Sequence, residues 1–241
     1  MKDFLEKYAG HLTQPGKSSP LLDEGSRSSV HQQVYEEIRD AILSSVLEPG
    51  QKLAVEELAA DMAVSAVPVR EALLRLEADN LVTYQPQKGF AVAPFTLEDL
   101  KEIYFLRGLL EGVAAGLAAH NLSEEEMSLL KELCDRMEKT LADENYEEMP
   151  LHNVSFHQTI YAASRSPRLY KMIVQLWNSF PKSSISVLTL RAPETVSEHR
   201  AIFEALQSRD PEKSEKTVRD HVQGVFSDLA EYWNHLSDGA E

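Results

Sequence analysis

Between Pro49 and Val92 the chain reads PGQKLAVEELAADMAVSAVPVREALLRLEADNLVTYQPQKGFAV, and the order of signals in this block constrains the fold more than any other stretch. Leu58 and Ala59 mark a short helix over Val55 to Met62. Ser65 then stands where a cap opens another helix, which carries Pro68 in its first turn, where a missing N–H costs little. That helix ends at Asp79-Asn80. The β-rich runs Val82 to Gln85 and Phe90 to Ala93 flank Pro86-Gln87-Lys88-Gly89, and a Gly-containing loop between such runs predicts a hairpin. Two helices across a tight turn, followed by a hairpin, make a winged helix-turn-helix, a module that enters the grooves of DNA.

Upstream, Ser29 precedes Val30, Val34, Ile38, Ile42 and Leu43 at helical spacing, with Gln32 three residues later as in a capping box. A helix from Val30 to Ser45 is expected, ended by Glu48-Pro49-Gly50. Residues 1–27 hold one short helical pattern, Asp3 to His11, and then the polar GKSSPLLDEGSRSS, so a flexible arm is expected there.

Beyond Pro94 the strand signals stop, and helical periodicity runs from Thr96 to Trp233. The expected helices are 97–120, 123–144, 147–163, 167–189 with a break near Pro181, 194–208 and 211–235. Ser123 with Glu126, and Asp210-Pro211, mark boundaries. Helices of this number and length suit an antiparallel bundle. The expected fold class is mainly α: an arm over 1–27, a winged helix-turn-helix over 28–95 and an all-helical domain over 96–241.

Charge argues against a nucleic-acid partner at first sight. The chain carries a net charge of -15, and residues 28–99 alone hold five basic and twelve acidic residues. Phosphate contacts need cations. A reader with few of them still works if they face one way, because screening over about 8 Å hides distant acids. Marked salt sensitivity and weak non-specific binding are expected. No apolar run approaches the ~18 residues that span a bilayer, no leader pattern opens the chain and Cys134 is the only cysteine. These features predict no membrane association and a reducing cytoplasm.

Two constellations carry chemistry. Arg70 and Arg75 lie on the third helix of the reader and Lys88 beside Gly89 at the wing tip. An Arg at a helix front can grip guanine, although Glu71 at i-4 leaves an intrahelical pair equally open for Arg75. In the helical half, Asn153 and His157 are four apart and share a helix face, while His199 and His221 come from two later helices. Imidazoles converging from separate helices can hold a divalent ion; for any one of them alone, a cap or a hydrogen-bonded core position is the alternative. His152 is turned away from His157 and is expected at the surface.

Arg107, with Glu111 at i+4, is expected to pair with it, or else to point at an effector carboxylate. The apolar stripe Leu106, Leu109, Leu110, Val113 and Leu117 is expected in the core. Trp177 and Trp233 suit either packing or a dimer interface. Glu124-Glu125-Glu126 reads as a helix N-terminal turn.

The block VSAVPVREALLRLEADNLV, preceded by LEPGQKLAVEELA and followed by QKGFAV, resembles the winged helix-turn-helix of GntR-family bacterial transcription regulators. FLRGLLEGVAAGLAA, NVSFHQTIYAAS, SEHRAIFEALQSRD and the late His221 resemble the all-helical (FCD-type) ligand-binding domain of the FadR-like subgroup. The resemblance covers about residues 28–235. It implies a homodimer on a palindromic operator that responds to a small metabolite, often a carboxylate.

It also implies DNA contacts from Ser65, Ala66, Val67, Pro68, Arg70, Arg75, Lys88 and Gly89. A divalent ion, Zn, Ni or similar, is implied at Asn153, His157, His199 and His221, with Arg107 toward the effector. Two departures stand out. Many relatives place arginine at position 66 and often threonine next; Ala66 and Val67 shift the expected readout toward apolar contact and DNA shape. Asn153 is neutral where many relatives have aspartate, which leaves more positive charge for an anionic effector. Two alternatives remain: a metal-dependent hydrolase, since three histidines around an open ion can activate water, and a ligand sensor with weakened DNA reading. No carboxylate or nucleophile stands near the histidines at an evident general-base spacing, which disfavours the hydrolase.

Overall fold

The computed structural model describes residues 29–44, 46–179 and 191–238, with side chains as far as Asn234. The arm expected over 1–27, and the expected continuation of a helix to residue 189 through Pro181, lie outside the described residues. The described residues fall into two compact units, with a boundary between Thr96 and Leu97.

In the first unit, α1 (Val30–Leu43) starts at Ser29, whose hydroxyl accepts from the Gln32 N–H at 3.3 Å. The reciprocal half of the expected capping box does not form: the Gln32 side-chain oxygen accepts from Arg75 at 3.1 Å, and its NH2 donates to Glu36 at 2.7 Å. The short α2 (Val55–Asp61) and the longer α3 (Ala66–Ala78) follow across the turn, with Ala63 at φ 53. Ser65 occupies the N-cap position of α3 in extended backbone, but its side chain makes no cap hydrogen bond.

Strands β2 (Val82–Gln85) and β3 (Gly89–Val92) form the expected hairpin. A two-residue strand β1 (Lys52–Leu53), too short for any periodicity to announce, pairs antiparallel with the far edge of β3, so the sheet order is β1-β3-β2. Gly50 at φ 79 makes the turn that brings it there, and its N–H donates to the Val92 carbonyl at 2.9 Å. Val34, Ile38, Leu58, Val69, Leu73, Leu76, Phe90 and Val92 form one apolar cluster under the helices and the sheet.

The second unit is all-helical: α4 (Leu97–Asn121), α5 (Glu124–Ala142), a 3-10 turn (Tyr146–Glu148), α6 (Met149–Ala163), α7 (Pro167–Trp177), α8 (Ala192–Gln207) and α9 (Pro211–Asp238). A complete capping box opens α5: Ser123 accepts from the Glu126 N–H at 3.2 Å and Glu126 accepts from the Ser123 N–H at 2.9 Å. Glu124 pairs with Arg209 and Glu126 with Arg165, as an acidic first turn allows.

The longest packing seam joins α4 to α9, and it runs over small residues. A Cβ on Gly112 would stand 3.1 Å from the Glu215 carbonyl oxygen, so any other residue would push the two backbones apart by a few tenths of an ångström. That seam overturns one expectation. The inward arc of α4 belongs to Gly108, Gly112, Ala115, Gly116 and Ala119, while Leu106, Leu109, Val113 and Leu117 are 37–43% exposed, Leu110 is half-buried and Phe105 is 62% exposed. Small residues let the backbones close up, and the large apolar side chains are left outside. No helix among the described residues is long and apolar enough to cross a membrane.

Candidate functional site

On α3 the arc of Pro68, Val69, Ala72, Leu73 and Leu76 is buried. Ala66, Val67 and Arg70 therefore face outward with Leu74, and Val67 is 61% exposed. Pro68, expected among the DNA contacts, lies on the buried arc and serves the start of the helix instead. In the wing, Gln87 and Gly89 adopt φ 68 and φ 85, which turns Lys88 out between them.

The cations of the reader separate into two groups. Arg39 is 2% exposed and paired with Asp40 at 2.9 Å. Arg75 donates to Gln32 at 3.1 Å, and its guanidinium lies 4.2 Å from the centre of the Tyr35 ring, so α1 already engages it. Among the described residues Arg70, Arg75, Lys88 and Lys52 are exposed and carry no ion pair, and Arg75 alone of these is held by neutral partners.

In the second unit His157 of α6, His199 of α8 and His221 of α9 converge. Their ring centroids form a nearly equilateral triangle with sides of 4.9, 5.0 and 5.2 Å, and each ring offers a nitrogen within 4.8 Å of the others. The rings are 0–6% exposed. A carbonyl can only accept, so the 2.7 Å contact from His199 Nδ1 to the Thr195 carbonyl puts the proton on Nδ1 and leaves Nε2 bare. His221 Nδ1 likewise donates to the Glu198 carboxylate at 2.6 Å.

His199 Nε2 and His157 Nδ1 are buried without a hydrogen-bond partner. Burial, with the other imidazoles beside it, holds His157 well below its usual range; burial and the nearby His221 bring His199 down to about 3. Both rings are therefore neutral near pH 7, the protonation state of a metal ligand. Asn153 is 6% exposed and lies one turn before His157, and no hydrogen bond among the described residues engages its amide. His152, expected at the surface, is 5% exposed and lies 3.5 Å from Glu148; the buried arc of α6 is wide enough to take in both histidines.

Beside the triangle stands a charged network. Glu111, fully buried, accepts from Arg107 Nε at 2.7 Å, Tyr161 Oη at 2.6 Å and Trp177 Nε1 at 2.9 Å. The expected i,i+4 pair therefore forms. Arg107 is also sandwiched between Tyr104 and Trp177, 4.5 Å from each ring. Burial works against the guanidinium charge, but Glu111 beside it outweighs that and keeps it protonated. Trp177 lies 5.6 Å from His157, which joins the network to the triangle.

Sequence reasoning missed Glu111 as a hub, Tyr161, Thr195, Glu198 and Arg191. Glu198 had one signal, its place next to His199. Glu111, Tyr161 and the pair Arg191 and Thr195 are spread over three helices far apart in the chain.

A groove-reading module followed by an all-α unit with a buried polar centre defines a transcription regulator that carries its own ligand-binding domain. The chain belongs to the FCD domain family, whose model matches residues 102–224, and residues 30–92 match the family of bacterial regulatory proteins named gntR. It is 29% identical over 214 residues to the uncharacterized HTH-type transcriptional regulator YdhC of Bacillus subtilis, covering 87% of this chain and 93% of that protein. It is also 29% identical to the HTH-type transcriptional regulator McbR of Escherichia coli, over 84% of this chain and 93% of that one. The solved structure of E. coli McbR/YncC superposes with a TM-score of 0.68 at 27% identity, over 86% of this chain and 99% of that chain. These relatives are named as regulators and not as enzymes, which sets the hydrolase alternative aside.

Proposed function

We propose that this regulator acts in the cytoplasm as a homodimer on a palindromic operator, with α3 in the major groove, and that a small carboxylate effector binds beside a divalent ion in the helical unit. The observation that carries the sensor half is the pair of buried, unpartnered nitrogens on His157 and His199. Such atoms are costly, and a shared cation removes the cost. His157, His199 and His221 would hold the ion with the Asn153 amide oxygen, a donor set that suits Zn, Ni and similar borderline ions. A bound ion supplies a positive anchor for an anionic oxygen. Asn153 adds no negative charge to offset it, and Arg107 sets a second cation beside His157, so a carboxylate fits the site.

The exposed stripe of α4 supports the dimer. Apolar residues run around most of this helix, a pattern that belongs to a helix covered on every side, and a second copy supplies that cover. On the DNA side, Arg70 and Lys88 are suited to base edge and phosphate, while Ala66 and Val67 offer methyl groups to thymine. Ser65 Oγ, not used as a cap, is suited to phosphate, and Gly89 shapes the wing tip.

Two measurements test this reading. Metal analysis of protein purified without added metal should find about one equivalent in wild type and a loss in His199→Ala; equal and empty contents would reject the ion. A salt series of gel shifts on DNA upstream of its own gene should show binding that weakens steeply with salt. No binding even at low salt would favour a ligand sensor that has lost DNA reading.

A further inference from the structure

Outside the histidine triangle lies a polar clamp that the reading above does not use. Glu198 precedes His199 on α8, yet its carboxylate turns to α9, where Oε2 accepts from His221 Nδ1 at 2.6 Å. Arg191, at the N-cap position of α8, grips the same carboxylate with both terminal nitrogens: Nη2 to Oε1 at 2.9 Å and Nη1 to Oε2 at 3.1 Å. It also donates from Nη1 to Thr195 Oγ1 at 3.3 Å and from Nε to Asp228. Asp228 and His221 are both on α9, so the clamp leaves α9 at the imidazole, crosses to α8 and returns two turns later.

Gly224 lies between those two points. A Cβ there would stand 3.3 Å from Glu198 Oε1 and 3.5 Å from Arg191 Nη2, so the missing side chain leaves the clamp its room.

The chemistry of the clamp is directional. A carboxylate paired with an Arg fork is ionised and can only accept, so the shared proton belongs to His221 Nδ1, and in the neutral ring Nε2 is then the nitrogen that can bind an ion. Without that acceptor, an imidazole on a helix can flip about its last torsion and offer a carbon or the other nitrogen to the centre. Both Glu198 oxygens are already taken by Arg191 and His221, which directs this carboxylate to orient a ligand and not to act as one.

We propose that Glu198 is the positioning carboxylate of the histidine centre: held by Arg191, and through it by Asp228, it fixes the His221 ring so that Nε2 faces His157 and His199. This rests on the reading that those histidines hold a divalent ion.

The test is a Co2+ titration of the metal-stripped full chain, comparing wild type, Glu198→Ala, Glu198→Gln and Arg191→Lys. The readouts are the visible ligand-field absorption, affinity against a chromophoric chelator and the melting temperature of each metal-free protein. Glu198→Ala should bind about 10- to 100-fold more weakly with an altered absorption band, the usual effect of removing an outer carboxylate. Glu198→Gln, whose amide oxygen still accepts from Nδ1–H, should recover part of that loss. A clamp that only staples α8 to α9 would lower the metal-free melting temperature of both Glu198 variants alike and leave affinity and band unchanged. That result overturns the proposal and leaves the centre standing. Wild type that binds no Co2+ would overturn both. Should Glu198→Ala not fold, Arg191→Lys decides: it keeps the charge but loses the fork, and its affinity should fall several-fold, whereas wild-type affinity would count against the clamp.

Discussion

Among the described residues, four exposed cations of the reader carry no ion pair, Lys52, Arg70, Arg75 and Lys88, whereas Arg39 is buried on Asp40 and Arg75 is steadied by Tyr35. Replacing Lys88 by Ala should weaken binding on all sequences and lower the slope of log K against log salt by about one, as expected of a phosphate contact, in anisotropy titrations. Arg70→Ala should instead relax preference at one base position, at a cost of about 1 to 3 kcal/mol. Exchanging Ala66 for Arg should change operator affinity; an unchanged value would count against a groove position for the α3 tip.

The histidines make a separate prediction about acid. In the folded, metal-free protein His199 titrates near 3 and His157 well below its usual range, whereas in the unfolded chain each takes a proton near 6.5. Stability is therefore fully present above about 6.5 and is lost as pH falls toward about 3, by about 1.4 kcal/mol per pH unit for each such ring. Melting curves of stripped protein between about pH 7.5 and about pH 5 should show this fall, and His199→Gln should remove one ring's share of the slope.

Helices here were legible where their signals are local. The Ser123 and Glu126 capping box and the Pro211 start of α9 stand in the structure within a residue or two of their expected places. Ser29 and Ser65 show the limit of such signals, since a capping residue can hold the position without making the reciprocal bond, or any bond, when its partners bond elsewhere. The stripe on α4 shows another limit. Periodicity finds an apolar face but says nothing of which of two faces meets a neighbour, and here a run of glycines and alanines won the intramolecular seam. Gly112→Leu should therefore force α4 away from α9 and cost about 1 to 3 kcal/mol in denaturant unfolding, while Val113→Ala on the outer stripe should leave the isolated fold nearly unchanged.

An acidic chain that reads DNA with few cations gains from presenting them twice. In the proposed dimer, two readers would turn the second contact into an intramolecular event, which raises affinity without a new side chain. Val113→Asp with Leu109→Asp should convert dimer to monomer in analytical ultracentrifugation and lower operator affinity in parallel. A dimeric double variant would remove α4 as the interface. The proposed two-fold dimer predicts half-sites about 34–36 Å apart, or a multiple of that, and footprinting of the operator would measure the spacing.

The linear order of residues was enough to read the kind and sequence of elements, the winged reader and the helical second half, because caps, turns and periodicity act within a few residues of chain; the set of histidines at 157, 199 and 221 rested on a family resemblance. Packing decided the rest. Which arc of α4 faces inward, which arginines stay available to DNA, and the meeting of Glu111 with Tyr161 and Trp177 or of Glu198 with His221 all depend on how close two helices approach. That distance is set by the volumes of side chains far apart in the chain, and no local pattern records it.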